Sequence, residues 1–557
     1  MKGVFLLFFL FCLSILQAQE YKRCTPFLYT ISNKNVTQEY QIKPLELKQV
    51  YREDSIQFVE YQQVNIARLQ KIDVHSFLNP FIKRLNSKQF VWRTEIKVPN
   101  AKGLALKIKK IVLPRGTRLF MYSPRKQNDL FLVFDAENKA YQLSNFITEK
   151  LEGETIILEY NATEDTKDSV ILDIEGLVNY YEKQIEANPG FGQSTECEVN
   201  VACSEGEGWC NESQSVVRIF IQSGSLYSYC TGSVLNNTKQ DFTPYVLTAE
   251  HCGAYATEED FKYWKFEFNY QSDGCSSPSS ESEIISNHIY GCQQLAKARR
   301  ESTYGSDFRL VKLLDSIPKA WNIYYAGWDA EEHSTITGGG VGIHHPYGDI
   351  KKISSYVEDL VSSDAYGGDA NDEFWKTYWI ATENGHGITE GGSSGSPLFN
   401  NKGLIIGTLS TGSSYCDNRK TSPDYYGKMS RHWDGNGEEA SKQLEAWLDP
   451  LNTGILQLGG KASNEDLECG DKISFDDFSL FPNPVSTILR VGNDDLSYLA
   501  DAVFEIYDSK GILVKSLKTS TVIEVKQIDI SHLSSGIYVL KVIQSNWLIQ
   551  QKFVILR

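Results

Sequence analysis

Eight of the 11 cysteines in this 557-residue chain fall between Cys197 and Cys416, and seven of those eight sit at 197, 203, 210, 230, 252, 275 and 292. None forms a Cys-x-x-Cys pair, so metal-ligand spacing does not account for them. Cysteines at this density belong to an oxidising compartment, where cross-links close long loops that a reduced cytosolic protein would leave open. The middle of the chain is therefore read as a cross-linked, exported domain.

The N-terminus agrees. Lys2 is followed by an apolar run from Val4 to Leu16 and then Gln17-Ala18-Gln19, the order of a charged segment, a hydrophobic segment and a small residue at a cleavage point. The run is too short to cross a bilayer as a helix. Residues 1–18 are expected to leave as a signal peptide, taking Cys12 with them. The chain carries 71 acids against 55 bases, a net charge of −16, and no long basic run, which argues against a nucleic-acid partner.

Strand patterning dominates on both sides of the cysteine-rich region. Phe90, Trp92, Thr94, Ile96 and Val98 recur at every second position, as do Leu104, Leu106 and Ile108, which is strand spacing. Beyond Pro189-Gly190 glycine and serine become dense, and this region is expected to close with a helix over Glu438 to Leu448, stopped by Asp449-Pro450. A polar linker at 459–473 leads to a last β-like block, 474–557, with a Ser509-Lys510-Gly511 turn between two strand patterns.

The chemistry concentrates in Gly391-Gly392-Ser393-Ser394-Gly395-Ser396-Pro397. Residues this small let the backbone turn tightly, exposing one hydroxyl while amide N–H groups converge where an oxyanion develops. A Gly/Ser run alone reads as a flexible loop. Two other segments alter that reading: Val246-Leu247-Thr248-Ala249-Glu250-His251-Cys252 runs an apolar strand into a histidine, and Ser306-Asp307 heads the strand pattern Phe308 to Leu313. His, then Asp, then Ser is the chymotrypsin order of a catalytic triad.

These three segments resemble the catalytic motifs of trypsin-fold serine proteases, and the bacterial lysyl endopeptidases above all. Cys230-Thr231-Gly232-Ser233-Val234, Asn269-Tyr270-Gln271, Ala326-Gly327-Trp328-Asp329, Gly342-Ile343-His344-His345-Pro346 and Trp447-Leu448-Asp449-Pro450 are similar to that family in order and approximate spacing. The resemblance implies a mostly β chain, with a chymotrypsin-like double β-barrel protease over 192–458. It implies Ser394 as nucleophile, His251 as general base and acid, Asp307 as the carboxylate orienting the imidazole, and the amides of Gly392 and Ser394 as the oxyanion hole. No cofactor and no metal ion are expected.

Six residues before Ser394, where trypsin places its pocket aspartate, stands Ile388. The lysyl endopeptidases carry the acid on the opposite pocket wall, and Asp424 in Ser422-Pro423-Asp424-Tyr425 lies one residue short of their spacing from the nucleophile. The resemblance thus implies cleavage after lysine; arginine stays open, because pocket width separates an ammonium from a guanidinium. Ser410 stands where the best-matching relatives carry His, and Tyr366 where they carry Trp. The segment Ser410-Thr411-Gly412 resembles the stretch that pairs with substrate backbone.

The resemblance also pairs Cys197 with Cys416, Cys203 with Cys275, and Cys230 with Cys252. Cys210 and Cys292 have no counterpart in the family; a fourth bridge between them is one option that spacing alone does not fix, with Cys24 and Cys469, outside the protease, left as free thiols or a long-range pair. Residues 19–191 are similar in placement to a β-rich propeptide that assists folding or blocks the cleft. The family's mature start falls at Gly192, with Lys183-Gln184 as a self-cleavage alternative. Phe481-Pro482-Asn483-Pro484, Leu533 to Tyr538 and the terminal Gln551 to Arg557 resemble the sorting domain of the type IX secretion system, a small β-sandwich read by an outer-membrane translocon. Expected partners are protein substrates, that export machinery and the chain's own propeptide.

Plainer readings are preferred elsewhere. His344 and His345, adjacent on a strand, point to opposite faces and suit a structural role better than a metal site. His386 reads as a surface-loop residue, and His288, His333 and His432 carry no signal. The alternatives to a lysyl endopeptidase are a trypsin-fold protease of other specificity and a catalytically inactive adhesin on the same fold. The three intact triad residues count against the second.

Overall fold

The computed structural model describes residues 20–22, 26–28, 37–61, 64–72, 83–124, 131–136, 138–167, 170–181, 190–299, 305–363, 372–416, 421–464, 478–481, 485–493, 503–508, 512–518, 525–544 and 547–557. The expected signal peptide, Tyr366, Cys24, Cys469 and Pro482-Asn483-Pro484 lie outside them. The fold is mostly β. Two compact units are formed, one of residues 1–46 and 67–182, the other of 47–66 and 183–557. The second unit thus takes in a short stretch from the N-terminal third, including the helix Leu47–Tyr61.

The first unit is built of mostly antiparallel strands, with Thr37–Gln41 running parallel to Phe90–Lys97. Gly103–Leu113 pairs with Ile171–Tyr180 and with Tyr141–Ile147, and Thr155–Ala162 pairs with Phe90–Lys97 and with Thr117–Tyr122. The alternation read from the sequence holds from Trp92 to Lys97, where Trp92, Thr94 and Ile96 are the buried positions, while Phe90 and Val91 before them are buried in succession. It fails in Gly103–Leu113, where Leu104, Ala105, Leu106 and Lys107 are buried in succession. Lys107 is accommodated by an ion pair with Glu175 at 2.9 Å.

In the second unit the cysteine-rich region folds into two antiparallel sheets. The first runs, in spatial order, through Cys292–Ala298, Phe308–Leu313, Tyr245–Thr248, Leu226–Leu235, Val216–Ser223, Lys265–Phe268 and Asn287–Tyr290. The second runs through Lys352–Tyr356, Gly340–His344, Pro397–Asn400, Ile405–Gly412, Asp424–Lys428 and Phe374–Thr377. Leu235, Leu247 and Leu310 of the first sheet join Val341, Ile343, Phe399 and Ile405 of the second in one buried cluster. This shared core fixes the two sheets against each other, and burial of such area is the main favourable term in folding.

The expected helix over Glu438 to Leu448 is not continuous. A single 3₁₀ turn, Ala440–Lys442, is separated from the short helix Glu445–Leu448 by Gln443, which is extended at φ −142° and ψ 153°. Leu444 is fully buried, and its N–H donates to the carbonyls of His432 and Trp433 at 3.0 Å. Docking that one side chain outweighs helix propensity.

The C-terminal block forms two small antiparallel sheets. One holds Phe478–Phe481, Ile488–Asn493 and Val525–Asp529; the other holds Leu513–Lys518, Val503–Asp508, Gly536–Gln544 and Trp547–Ile555. Leu489 and Ile528 of the first share a core with Phe504, Leu540 and Phe553 of the second, which is sandwich packing.

Candidate active site

Strand pairing brings His251 and Asp307 together. Tyr245–Thr248 and Phe308–Leu313 are antiparallel neighbours, with Thr248 opposite Arg309. The residues just beyond the end of one strand and just before the start of the other therefore share an edge. There Oδ2 of Asp307 lies 2.7 Å from Nδ1 of His251, and Oδ1 accepts the His251 backbone N–H at 3.1 Å. Nε2 of His251 is buried and makes no hydrogen bond among the described residues. Asp307 adopts a left-handed φ of 59°, which an L-residue takes only where its surroundings hold it there.

Buried neighbours supply that hold. The hydroxyl of Ser410 donates to Asp307 Oδ2 at 2.5 Å. Ser410, a candidate pocket residue by the resemblance, thus directs its hydroxyl at the carboxylate. Next to Asp307, Ser306 is bonded through its hydroxyl to His432 Nδ1 at 2.7 Å, and His432 Nε2 meets the Thr408 hydroxyl at 2.9 Å. Burial pulls the His432 imidazole down to about 3, so it is a neutral link. On the other side Arg309, also buried, donates to the carbonyls of Glu250 and Gly253, bracing the turn that carries His251.

Ser394 sits on the second sheet's side of the same edge, three residues before the strand Pro397–Asn400. Its carbonyl accepts the Thr231 N–H at 2.9 Å and lies 3.6 Å from Sγ of Cys252, the residue after His251. The 391–392 and 393–394 peptide planes are pinned by their carbonyls. Gly391 C=O accepts the Tyr347 N–H at 2.5 Å, and Ser393 C=O accepts the Ser396 N–H at 2.9 Å. In a trans peptide the N–H points opposite to the C=O. The N–H groups of Gly392 and Ser394 are therefore turned the other way, and neither makes a hydrogen bond among the described residues. Gly392 has a φ of 97°, open to glycine at no steric cost. A Cβ there would stand 2.9 Å from the Gly348 nitrogen and 3.0 Å from the His345 oxygen.

Asp424 is fully buried at the head of the strand Asp424–Lys428, opposite Gly412 of Ile405–Gly412. Its Oδ2 accepts from Trp379 Nε1 at 2.6 Å and from the hydroxyls of Thr389 and Ser414 at 2.7 Å; its Oδ1 accepts the N–H groups of Ser413 and Ser414 at 3.1 Å. Burial raises its carboxyl from the ordinary aspartate value, with those hydrogen bonds working against the rise. Gly412 is where the carboxylate passes the neighbouring strand, and a Cβ on it would run into Asp424 Oδ1. Trp379, Thr389 and Ser414 were not legible as partners of Asp424, because they come from three separate segments.

Three of the expected disulfides are present: Cys197–Cys416, Cys203–Cys275 and Cys230–Cys252. The fourth is not. Cys292 is a free, buried thiol, pushed up by burial, whereas Cys210 is disulfide-bonded to a partner outside the described residues. Cys292 lies on a strand of the first sheet and packs with Val311 and Leu313 as a small apolar side chain. His386, read as a surface residue, is buried, with Nδ1 2.8 Å from the Gly387 carbonyl. His344 and His345 are both buried and hydrogen-bonded, in keeping with a structural role.

Residues 191–427 match the family described as Lysyl endopeptidase, C-terminal domain, and residues 479–556 match Secretion system C-terminal sorting domain. Among solved structures, a scabies mite inactivated protease paralogue aligns at 16% identity over 40% of this chain and 92% of its own, with a TM-score of 0.27. A mutant of human heparin binding protein aligns at 14% identity over 44% and 93%, also at 0.27. A thermostable serine protease from an extremophilic microorganism aligns at 14% over 39% and 92%, at 0.28. Scores this low say nothing about activity. By its two family matches the chain is a secreted serine protease. It joins a lysyl endopeptidase domain to a type IX sorting domain, which sends it outside the cell, released or surface-attached.

Proposed function

We propose that the protein is an endopeptidase that hydrolyses peptide bonds on the carboxyl side of lysine through an acyl-enzyme. The observation that carries this is the state of His251: Nδ1 is committed to Asp307 while Nε2 is uncommitted, and Sγ of the next residue, Cys252, lies 3.6 Å from the carbonyl of Ser394, whose own N–H and that of Gly392 make no hydrogen bond among the described residues. In this reading Ser394 Oγ attacks the carbonyl carbon and passes its proton to His251 Nε2. The N–H groups of Gly392 and Ser394 receive the oxyanion, and His251 then protonates the departing amine. Water repeats the sequence to release the acid. Asp307 stays ionised and holds the imidazole in its tautomer.

Lysine specificity rests on Asp424, a carboxylate kept in place by five donors on strands and loops that flank the Ser394 segment. A substrate cation finds its counter-charge there, and substrates without one leave that charge unpaired. Digestion of a denatured protein by the mature enzyme tests the reading. Wild type should cut after lysine, Ser394→Ala should lose turnover on the order of 10⁶-fold, and Asp424→Asn should lose lysine selectivity. Selective cutting after lysine by Asp424→Asn would refute the pocket.

The protease is assigned to 192–458, with 19–191 as a propeptide. The support is Val64, buried in the same unit as the protease, whose side chain covers the α-carbon of Gly391 so closely that no Cβ would fit there. A segment at that place obstructs the approach to Gly392 and Ser394. Sequencing the N-terminus of secreted wild type and of Ser394→Ala decides between Gly192 and Gln184 as the mature start, and whether the enzyme cuts itself.

A further inference from the structure

Ser393, the residue before the proposed nucleophile, is fully buried and begins a closed circuit of hydrogen bonds. Its hydroxyl oxygen accepts the Glu390 N–H at 3.2 Å and lies 2.8 Å from His344 Nδ1. On the far side of the ring, His344 Nε2 lies 3.0 Å from the Ser354 hydroxyl, which donates to the Ile388 carbonyl at 2.9 Å. The circuit leaves the 388–393 segment at one end and returns to it at the other, crossing two paired strands, Gly340–His344 and Lys352–Tyr356.

One placement of hydrogens satisfies every member. The single hydroxyl proton of Ser354 is taken by Ile388, so Ser354 Oγ must accept, and His344 Nε2 carries the proton. Nδ1 is then bare and accepts the Ser393 hydroxyl proton. His344 is thus a neutral imidazole, and burial accordingly pulls it down to about 3. Glu198, 3.8 Å from Nε2, is held well above the carboxylate range by burial and by Glu390, so no strong anion draws a second proton onto the ring.

From this geometry we infer that His344 is a positioning residue for the oxyanion site, an uncharged brace clamping both ends of the segment that aims the Gly392 and Ser394 amides. The inference rests on the reading that those amides stabilise the oxyanion. A buried, fully satisfied circuit is rigid because each broken bond leaves a polar group stranded without water. It also needs no free amine or ion pair to hold the segment, and it is already closed in the full-length chain.

The test compares mature wild type, Ser393→Ala, His344→Phe and His344→Gln. For each, kcat and KM on a lysyl peptide amide are measured, with the affinities of a lysyl peptide aldehyde, whose adduct places an oxyanion in the site, and of the carboxylate product. Ser393→Ala and His344→Phe should lower kcat and aldehyde affinity together by about 10- to 10³-fold. KM and product affinity should stay within about twofold of wild type, since a positioning loss is felt by the oxyanion and not by the pocket. His344→Gln, which keeps a donor and an acceptor, should recover part of kcat. Ser393→Ala removes one oxygen and keeps the test alive if His344→Phe does not fold. Unchanged kcat in folded Ser393→Ala, or equal loss of product and aldehyde affinity, overturns the brace. Retained turnover in Ser394→Ala would instead overturn the underlying serine mechanism.

Discussion

Asp307 grips His251 at two points, with one carboxylate oxygen on the ring Nδ1 at 2.7 Å and the other on the backbone N–H at 3.1 Å. The ring's position and its tautomer are thereby set by one side chain. Asp307→Asn keeps the shape but offers an NH₂ group where the ring needs an acceptor, so the imidazole is driven to the wrong tautomer. We expect kcat to fall by about 10⁴-fold with the fold intact. A Tm within a few degrees of wild type and a loss of less than about tenfold would show that the pair is structural.

Gly412→Ala separates the pocket from the chemistry. The added methyl collides with the carboxylate of Asp424, which is boxed in by Trp379, Thr389 and Ser414 and has little room to give way. KM for lysyl substrates should rise on the order of a hundredfold, while reaction with a small, uncharged serine-directed acylating agent stays close to wild type. Equal losses in both assays would mean the substitution disturbs Ser394 itself.

Asp349 organises the start of the protease. It is buried and accepts from Gly192 N at 2.7 Å, Ser194 Oγ at 2.6 Å, Ser194 N at 3.3 Å and its neighbour Ile350 N at 2.7 Å. Asp349→Ala strands those donors and should cost about 2–4 kcal/mol in urea unfolding, with Asp349→Asn costing less because its amide oxygen still accepts. Equal midpoints for wild type and the alanine variant would contradict this.

Two buried histidines should make the protein acid-sensitive. His344 and His432 are both pulled down to about 3 by burial, against 6.5 in the unfolded chain. Between those values the unfolded chain binds protons that the folded one refuses. Their contribution to stability is therefore intact above pH 6.5 and falls as pH drops, by about 1.4 kcal/mol per pH unit for each. Glu390, raised to about 7 by burial, works the other way, contributing most at low pH and losing its contribution as pH rises from 4.5 to 7. Urea midpoints between pH 7 and 4 should slope less steeply in His432→Asn than in wild type. Parallel slopes would mean that His432 is already charged in the fold.

Much of the site was legible because short motifs carry local backbone geometry. The glycines around Ser394 announce a tight turn, and the apolar run before His251 and the one after Asp307 announce two strands. That those strands are antiparallel neighbours, and so deliver both residues to one edge, is set by their pairing and shown by no local pattern. His432 and His386 misled for the same reason: burial is set by what packs on a residue from elsewhere, and neither lies in a pattern that predicts a lid. Gln443 shows the converse, since docking Leu444 breaks a helix that local propensity favours.

The strand alternation and the apolar N-terminal run can be read from composition and short-range spacing, whereas the three disulfides and the candidate catalytic residues follow from resemblance to a known family. Tertiary structure alone decided that Cys292 is free, that Ser410 serves Asp307, that Asp424 is held by Trp379, Thr389 and Ser414, and that His344 closes a circuit around Ser393. These are contacts between distant segments, formed when the two sheets bury a common core. Which polar groups then meet depends on strand register, and no local stretch of chain encodes that.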